Sequence, residues 1–469
     1  MKKFSENQSF RVSYSSNQDE IDPWLLLIFI IGQTGIAFLA RSFPLIATTH
    51  AMITIGAGLL IAFFGKKPNN IVYVTAFIVG SEVFWRMTDA NIFYESGKYL
   101  ISAFLLLGLF KIRKWSFLGH PVLYLLLLCV SIPLTFFALG INDDSRQILS
   151  FNLSGPLALG ISVIYFRQTK LSKEIMFKVT WAIVLGIIPI LVIAVFNTIT
   201  AQDIAFTDES NFLTSGGFGP NQVAAILGLG GTLMFLVAIF SKKTAEQIMA
   251  ILLLTAFLIQ SVLTFSRGGI YNVAICILLA SLHLFNLKNK RFAGIVLLFA
   301  ILLISTYLII PKLDLFTGGK FTQRFSDTTS QGRNIIARAD IQVWLDNFVL
   351  GVGPGLSQQE SFKYSGIFAS AHTEYTRLLA DHGVFGLLAL VLLIIMAIRT
   401  YIKAPGWQSK VWVVVLLAWP IAEMLHAAMR IAAISYLFGL ANGVWIPLKN
   451  NTPSYSRSSE IVSPQRLDE

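Results

Sequence analysis

A succession of apolar stretches, each set off by a short polar connection, limits what this chain can fold into more than any other feature. A helix needs on the order of 17–25 apolar residues to cross hydrocarbon. Runs of about that kind fall at 24–40, 44–64, 70–86, 97–110, 117–139, 150–166 and 177–199. Seven more fall at 221–240, 247–264, 269–286, 292–310, 378–398, 411–428 and 431–447. With 55% hydrophobic residues and only 13% charged ones, the chain has more apolar surface than a soluble protein can hide. The expected fold is all-α: a polytopic transmembrane helix bundle of about 12–14 helices over 23–448, flanked by polar tails at 1–22 and 449–469.

The charge pattern orients it. The formal net charge of +11 does not imply nucleic acid, because the basic residues sit in short clusters between apolar runs. Alternate connections carry Lys66/Lys67, Lys111/Arg113/Lys114, Arg167/Lys170/Lys173, Lys242/Lys243, Lys288/Lys290/Arg291, Arg399/Lys403/Lys410 and Lys449. All fall on one side, which the positive-inside rule makes cytoplasmic, together with both termini. The opposite connections hold Asp143/Asp144, Asp203, Asp208/Glu209 and a long loop at about 311–377. That loop is expected to be extracytoplasmic. Residues 1–22 lack the apolar core of a cleavable signal. Cys129 and Cys276 both lie in apolar runs, so neither a disulfide framework nor a cysteine metal site is expected.

Within the long loop, Ile335, Ile336, Val343, Trp344 and Phe348 can share one face of a helix over 333–349, lying along the membrane surface. Gly351, Gly353, Pro354 and Gly355 end it.

Four segments with polar chemistry converge on the extracytoplasmic side. Ser215–Asn221 is a glycine-rich turn whose amides can approach an anion and whose Asn221 can cap the following helix. Thr264–Gly269 is a tight turn between two spans, and it fixes Arg267, whose planar guanidinium suits phosphate. Arg333 and Arg338 lie on the surface helix. Ala371–Gly383 carries His372, a natural general base near neutral pH, with Glu374 or Asp381 to orient or replace it and Arg377 close by. Glu82, Glu423 and His426 are polar groups inside apolar runs, and the two carboxylates are expected to face the bundle interior, paired.

Taken together, GFGPNQVAAIL at 217–227, FSRGG at 265–269, Arg333 ahead of GVGPG, and HTEYTRLLADHGVFGLLALVLL at 372–393 resemble the O-antigen ligase and polymerase superfamily of bacterial membrane glycan transferases. The resemblance covers about 200–400. Thr373 stands where the family pattern has asparagine, and Ala337 where a tryptophan is common, with Trp344 farther on.

The resemblance implies a metal-independent glycosyltransferase without cofactor, in the bacterial inner membrane, with its active site on the periplasmic face. The donor would be a glycan on undecaprenyl diphosphate and the acceptor a hydroxyl of the lipid-A core or of another glycan, among membrane lipids and without nucleic acid. Catalysis would fall to His372, Arg267 and Arg333, and diphosphate binding to Arg267, Arg333 and Arg338. Asn221, Glu374 and Arg377 would support them. Three alternatives stand beside ligation: O-antigen or exopolysaccharide polymerisation, protein glycosylation, and, from a different class, a flippase for lipid-linked sugars. Against the last, the two halves show no symmetry of broken helices. Asp143–Asp144 and Asp208–Glu209 are the acidic pairs on which a metal would depend, and neither has an obvious further ligand.

Overall fold

The computed structural model describes residues 21–65, 67, 70–112, 118–207, 209–284, 307, 310–326 and 332–447. Most of both tails, nearly all of the span expected at 292–310, and the charges Lys66, Arg113, Lys114, Asp208, Lys288, Lys290, Arg291 and Lys449 lie outside the described residues.

The chain runs through α1 (Pro23–Ser42), α2 (Pro44–Phe64), α3 (Asn70–Met87), α4 (Ser96–Leu109), α5 (Gly119–Cys129), α6 (Ile132–Leu139), α7 (Asp143–Phe166) and α8 (Lys173–Thr200). It continues through α9 (Pro220–Phe240), α10 (Thr244–Leu263), α11 (Arg267–Leu284), α12 (Ile310–Phe316), α13 (Lys320–Ser326), α14 (Arg333–Asp346) and α15 (Ser357–Ser365). It ends with α16 (Glu374–Lys403), α17 (Gly406–Glu423) and α18 (Ala432–Ala441). Two residues of strand, β1 (Lys170–Leu171), pair in parallel with β2 (Val444–Trp445).

Eight of these segments, α5 and α6 counting as one, are long and apolar enough to cross a membrane, and α4, α11 and α18 are shorter apolar helices. The protein is an all-α, multi-pass membrane protein. The apolar window of α9 is 89% buried and that of α8 72%, against 22% for α1. So α8 and α9 form the centre, and α1 turns most of its surface outward. Where α3 crosses α8, Gly80 and Gly186 face each other's backbone, the small-residue contact by which helices approach closely in lipid.

Several boundaries depart from the hydropathy reading, each for a local reason. The span at 117–139 breaks at Val130–Ser131, where Ser131 is fully buried and bonded to His382 of α16. The acidic pair expected in a loop instead forms the first turn of α7. Asn142 caps that helix, its side chain accepting from Ser145 N (2.8 Å) while Ser145 Oγ accepts from Asn142 N (3.1 Å). Carboxylates at a helix N-terminus are favoured by its dipole. In the same way Thr373 caps α16 through Tyr375 N (3.2 Å), which draws Glu374 and Arg377 out of the expected loop and into the helix.

The surface helix is present as α14, but its buried face is Ile336, Ala339, Asp340 and Val343; Ile335 is exposed, and Phe348 lies beyond its end. Asp340 accepts from Ser361 Oγ (2.5 Å) on α15 and Thr376 Oγ1 (2.8 Å) on α16, and so fixes the direction of α14.

The GVGPG turn docks on a break in α16. At Gly383 the helix has φ +60° and ψ −136°, and the freed backbone is met by the turn: Val352 N donates to Ala380 O (3.0 Å), Gly353 N to Asp381 O (3.0 Å) and Val384 N to Phe348 O (2.8 Å). A Cβ on Gly383 would lie 2.5 Å from Gly351 N, and one on Gly351 would lie 2.5 Å from Asp381 O. Only a glycine pair permits this approach.

Gly383→Ala is therefore expected to cost roughly 3 kcal/mol, since a side chain in that backbone region costs on the order of 1–3 kcal/mol before any clash. Gly366→Ala has a similar φ (+64°) but open space around it, and loses only the strain. Thermal unfolding of the detergent-solubilised protein compares them, and equal midpoints would contradict the close packing.

Candidate functional site

One end of the bundle gathers the chemistry. The turn before α9 and the turn before α11 are joined there. Ser266 Oγ donates to Asn221 Oδ1 (2.8 Å), Gln260 Nε2 to Thr214 O (2.7 Å) and Thr214 Oγ1 to Leu263 O (2.6 Å). Asn221 thus ties the two turns and does not cap α9, whose N-cap is Gly219 with no side-chain bond. The anion cradle expected of the glycine-rich turn is not formed either. The amides of Ser215, Gly216 and Gly217 donate to Phe212 and Leu213 carbonyls.

Arg267 opens α11, held by a turn in which Phe265 has φ +57°, is fully buried, stacks on Phe206 and accepts Arg324 Nε at its carbonyl (3.1 Å). A non-glycine residue in that conformation stores strain, and Ala428 (φ 50°), in the connection after α17, does the same across the site.

That connection, 424–431, lies against the segment before α16. Glu374 N donates to Met424 O (2.8 Å), Ala428 N to His372 O (3.1 Å) and Met429 N to Glu374 Oε2 (3.1 Å). It brings Arg430 beside His372, its Nη2 3.4 Å from Ala371 O. The Arg430 carbonyl in turn accepts Arg86 Nη1 (3.1 Å), and Arg86 pairs with buried Glu82 (2.7 Å). His426 lies over the start of α11, 3.5 Å from where a Gly268 Cβ would stand.

Arg333, half-buried at the start of α14, completes the cluster. Burial and the neighbouring Arg267 and Arg430 push its guanidinium below the usual range, and Glu423 partly offsets them. His372 is pushed down to about 4 by burial, then by Arg333 and Arg430. His426 is lowered by burial and Arg333. Arg333 is therefore the hub of a cluster, within electrostatic reach of Arg267, Arg430 and two imidazoles held neutral at physiological pH, His372 and His426. Glu423, buried at the end of α17, accepts a hydrogen bond from Asn272. As expected from the sequence, Glu82 and Glu423 are both buried, with polar partners.

The structure thus brings Arg267, Arg333 and His372 together, and adds Arg430 and His426, which the motif reading did not single out for this site. Arg430 was legible only as a lone basic residue in a short connection on the side otherwise poor in basic charge. Arg338 is not drawn in. It is exposed on α14, in a shallow depression with Asn334, Ala337, Ile341 and Thr376.

Glu374 and Asp381 do not orient His372, because both are committed to Arg377. Its Nε donates to Glu374 Oε2 (3.1 Å), its Nη2 to Glu374 Oε1, and its Nη1 to Asp381 Oδ2 (3.1 Å) and Asn152 Oδ1 (3.2 Å). Asp381 Oδ1 also accepts Gly355 N (3.1 Å) and Ser357 N (3.3 Å) from the docked turn. All three charged side chains are buried. Asp143 and Asp144 are exposed, with Asp143 paired to Arg146. Among the described residues no group of three or more His, Cys, Asp or Glu is placed to hold a metal.

Beside Arg430 opens a cleft of about 730 Å³ with exposed aromatic faces (Phe93, Tyr94, Phe151, Phe368) and amides (Gln147, Asn152, Gln358, Gln359). It shares Phe151, Asn152, Gly355 and Gln358 with the smaller pocket that reaches Arg430, Arg377 and Lys98.

Fold and site together define a multi-pass membrane protein with a cationic, imidazole-bearing recess at one end of its helices. Residues 248–391 match the family model described as O-antigen ligase, which supports the resemblance of the chain to the O-antigen ligase and polymerase superfamily. At family level the activity is ligase- or polymerase-type glycan transfer. The matched segment includes Arg267, Arg333 and His372; Asn221, His426 and Arg430 lie outside it. No curated protein matches the chain.

Removing one member of a buried ion pair typically costs about 3–5 kcal/mol. Glu374→Gln is expected to fall near the lower figure, about 3 kcal/mol, whereas Arg338→Gln at its exposed position should stay within about 0.5 kcal/mol. Denaturation of the purified protein reads the difference, and two equally stable variants would remove the Arg377 clamp from the account.

Proposed function

We propose that the protein transfers a glycan from an undecaprenyl-diphosphate donor to a hydroxyl of the lipid-A core, at the periplasmic face of the bacterial inner membrane. The observation that carries this reading is the placing of Arg333 and Arg430 beside a neutral His372, with Arg267 next to Arg333.

The chemistry asks for two things. Negative charge growing on the departing diphosphate must be neutralised, and the attacking hydroxyl must lose its proton. Three guanidiniums clustered around Arg333 meet the first need without rearranging during the reaction. His372, kept neutral by burial and by the arginines, meets the second. The hydroxyl proton passes to the imidazole, its oxygen bonds to the anomeric carbon, and the bond to the diphosphate oxygen breaks. Undecaprenyl diphosphate leaves and the sugar configuration inverts. The aromatic and amide-lined cleft beside Arg430 suits a carbohydrate, with apolar ring faces to stack against and amides to meet hydroxyls. The basic connections at the opposite end, Arg167, Lys170, Lys243, Arg399 and Lys403 among them, support the proposed orientation.

Deleting the gene in its host and profiling surface and lipid-linked glycans tests this. Full-length polymer stranded on the carrier, with bare core, is the result expected; a single repeat unit on core or carrier would make it a polymerase. Units trapped on the cytoplasmic side would replace the reading with transport. Complementation with His372→Ala, Arg333→Ala or Arg430→Ala should restore transfer about 10²–10³-fold less efficiently than wild type at equal membrane levels.

The acid limb gives an independent check. With His372 lowered to about 4, kcat/KM should stay flat through mild acid and fall as pH drops through about 4, where the base becomes protonated. Arg333→Gln removes one of the charges that depress it, so the limb should move up toward the ordinary imidazole value; an unmoved limb argues against His372 as base.

A further inference from the structure

The end of the bundle opposite the recess holds a second cationic pocket that glycan transfer does not use. The helices α7, α16 and α18 begin near the recess and finish at this pocket. At 1.5 Å per residue, the ten residues of α18, which starts beside Arg430 and ends at Asn442, set the two roughly 15 Å apart. The pocket has a volume of about 500 Å³ and is lined by Arg167, Arg399, Lys403, Thr400, Asn442 and Trp445, with no carboxylate in its lining.

Its walls are fixed by tertiary structure. The parallel pairing of β1 with β2 sets Val444 N on Thr169 O (2.9 Å) and Ile446 N on Leu171 O (3.0 Å). Thr400 Oγ1 donates to Asn442 Oδ1 (2.8 Å), and Trp445 Nε1 to Ala441 O (2.9 Å). The β1–β2 contact thus holds the end of α18 against the α7–α8 connection and leaves the space between them and α16 open.

Two simpler readings of the charges fall short. Basic residues that only set topology need no cavity, yet here Arg167 and the α16 pair Arg399 and Lys403, from two distant stretches of sequence, face one space. Basic residues also complement helix C-termini, but each terminus carries about half a negative charge. The end of α16 alone carries two full positive charges, Arg399 and Lys403, against that half charge. Burial, and then the neighbouring Arg399, lower the Arg167 guanidinium to about 10.

We propose that this pocket binds a phosphate group, either the headgroup of an anionic phospholipid in the adjoining leaflet or a free phosphate. Two guanidiniums offer bidentate geometry to phosphate oxygens and Lys403 a third charge. Basic pockets between transmembrane helices are suited to acidic headgroups.

Full-length protein in neutral detergent, titrated separately with phosphatidylglycerol, phosphatidylcholine and inorganic phosphate, tests this by native mass spectrometry and thermal midpoint. Saturable binding of phosphatidylglycerol but not phosphatidylcholine, weakened at least tenfold in the Arg399→Gln/Lys403→Gln variant, is the expected result. Binding of inorganic phosphate that competes with the lipid and is lost in the same variant would also support the site, and would assign it to free phosphate. Arg399 and Lys403 are both exposed, so their replacement should leave the unliganded midpoint unchanged. If that midpoint falls, Lys403→Gln alone takes the variant's place. No binding of either phosphate probe by the wild type, or equal phosphatidylglycerol binding by wild type and variant, overturns the proposal.

Discussion

Arg377 is the point on which the site end of the molecule hangs. A guanidinium buried among transmembrane helices is tolerated only when paired and hydrogen-bonded, and here two carboxylates and an asparagine surround it. Each carboxylate does a second job. Glu374 accepts an amide from the 424–431 connection, and Asp381 accepts two from the docked GVGPG turn. One charged group therefore joins three stretches far apart in sequence. His372 stands two residues before Glu374, and Arg430 one residue after Met429, so their meeting follows from the clamp.

The recess shows how charge can be concentrated without collapse. Arg267, Arg333 and Arg430 repel one another, and on flexible loops they would separate. Each is fixed by something rigid. Arg267 follows a strained turn packed against α9, Arg333 sits on a helix locked by Asp340, and Arg430 lies in a connection pinned by Glu374. Folding energy is thus stored as like-charge proximity. The same electrostatics holds His372 neutral, so in the proposed reaction charge neutralisation and proton acceptance would draw on one arrangement.

Much of this was legible in the chain read alone, because it depends on local chemistry. The break at the GVGPG glycines and a helix starting at Arg333, expected over 333–349, follow from residue type and spacing. The role of Glu374 was not legible. A carboxylate two residues from a histidine reads as its partner, but the first turn of α16 directs it to Arg377. Asn221 was misread for a similar reason, since an asparagine at a helix start suggests a cap and here it bonds Ser266 from another turn.

Sequence by itself determined the class of protein: apolar length sets the spans, alternating basic clusters set a consistent sidedness, and short motifs identify the family segment, since each is a property of consecutive residues. Only tertiary structure decided which charges act together. Arg86, Arg267, Arg333, Arg377 and Arg430 look alike in the chain, yet Arg86 and Arg377 are consumed in buried ion pairs while Arg333 and Arg430 gather at His372, with Arg267 beside Arg333. The physical reason is that the fate of a buried charge is set by the partners that other helices bring to it, and those partners lie up to several hundred residues away.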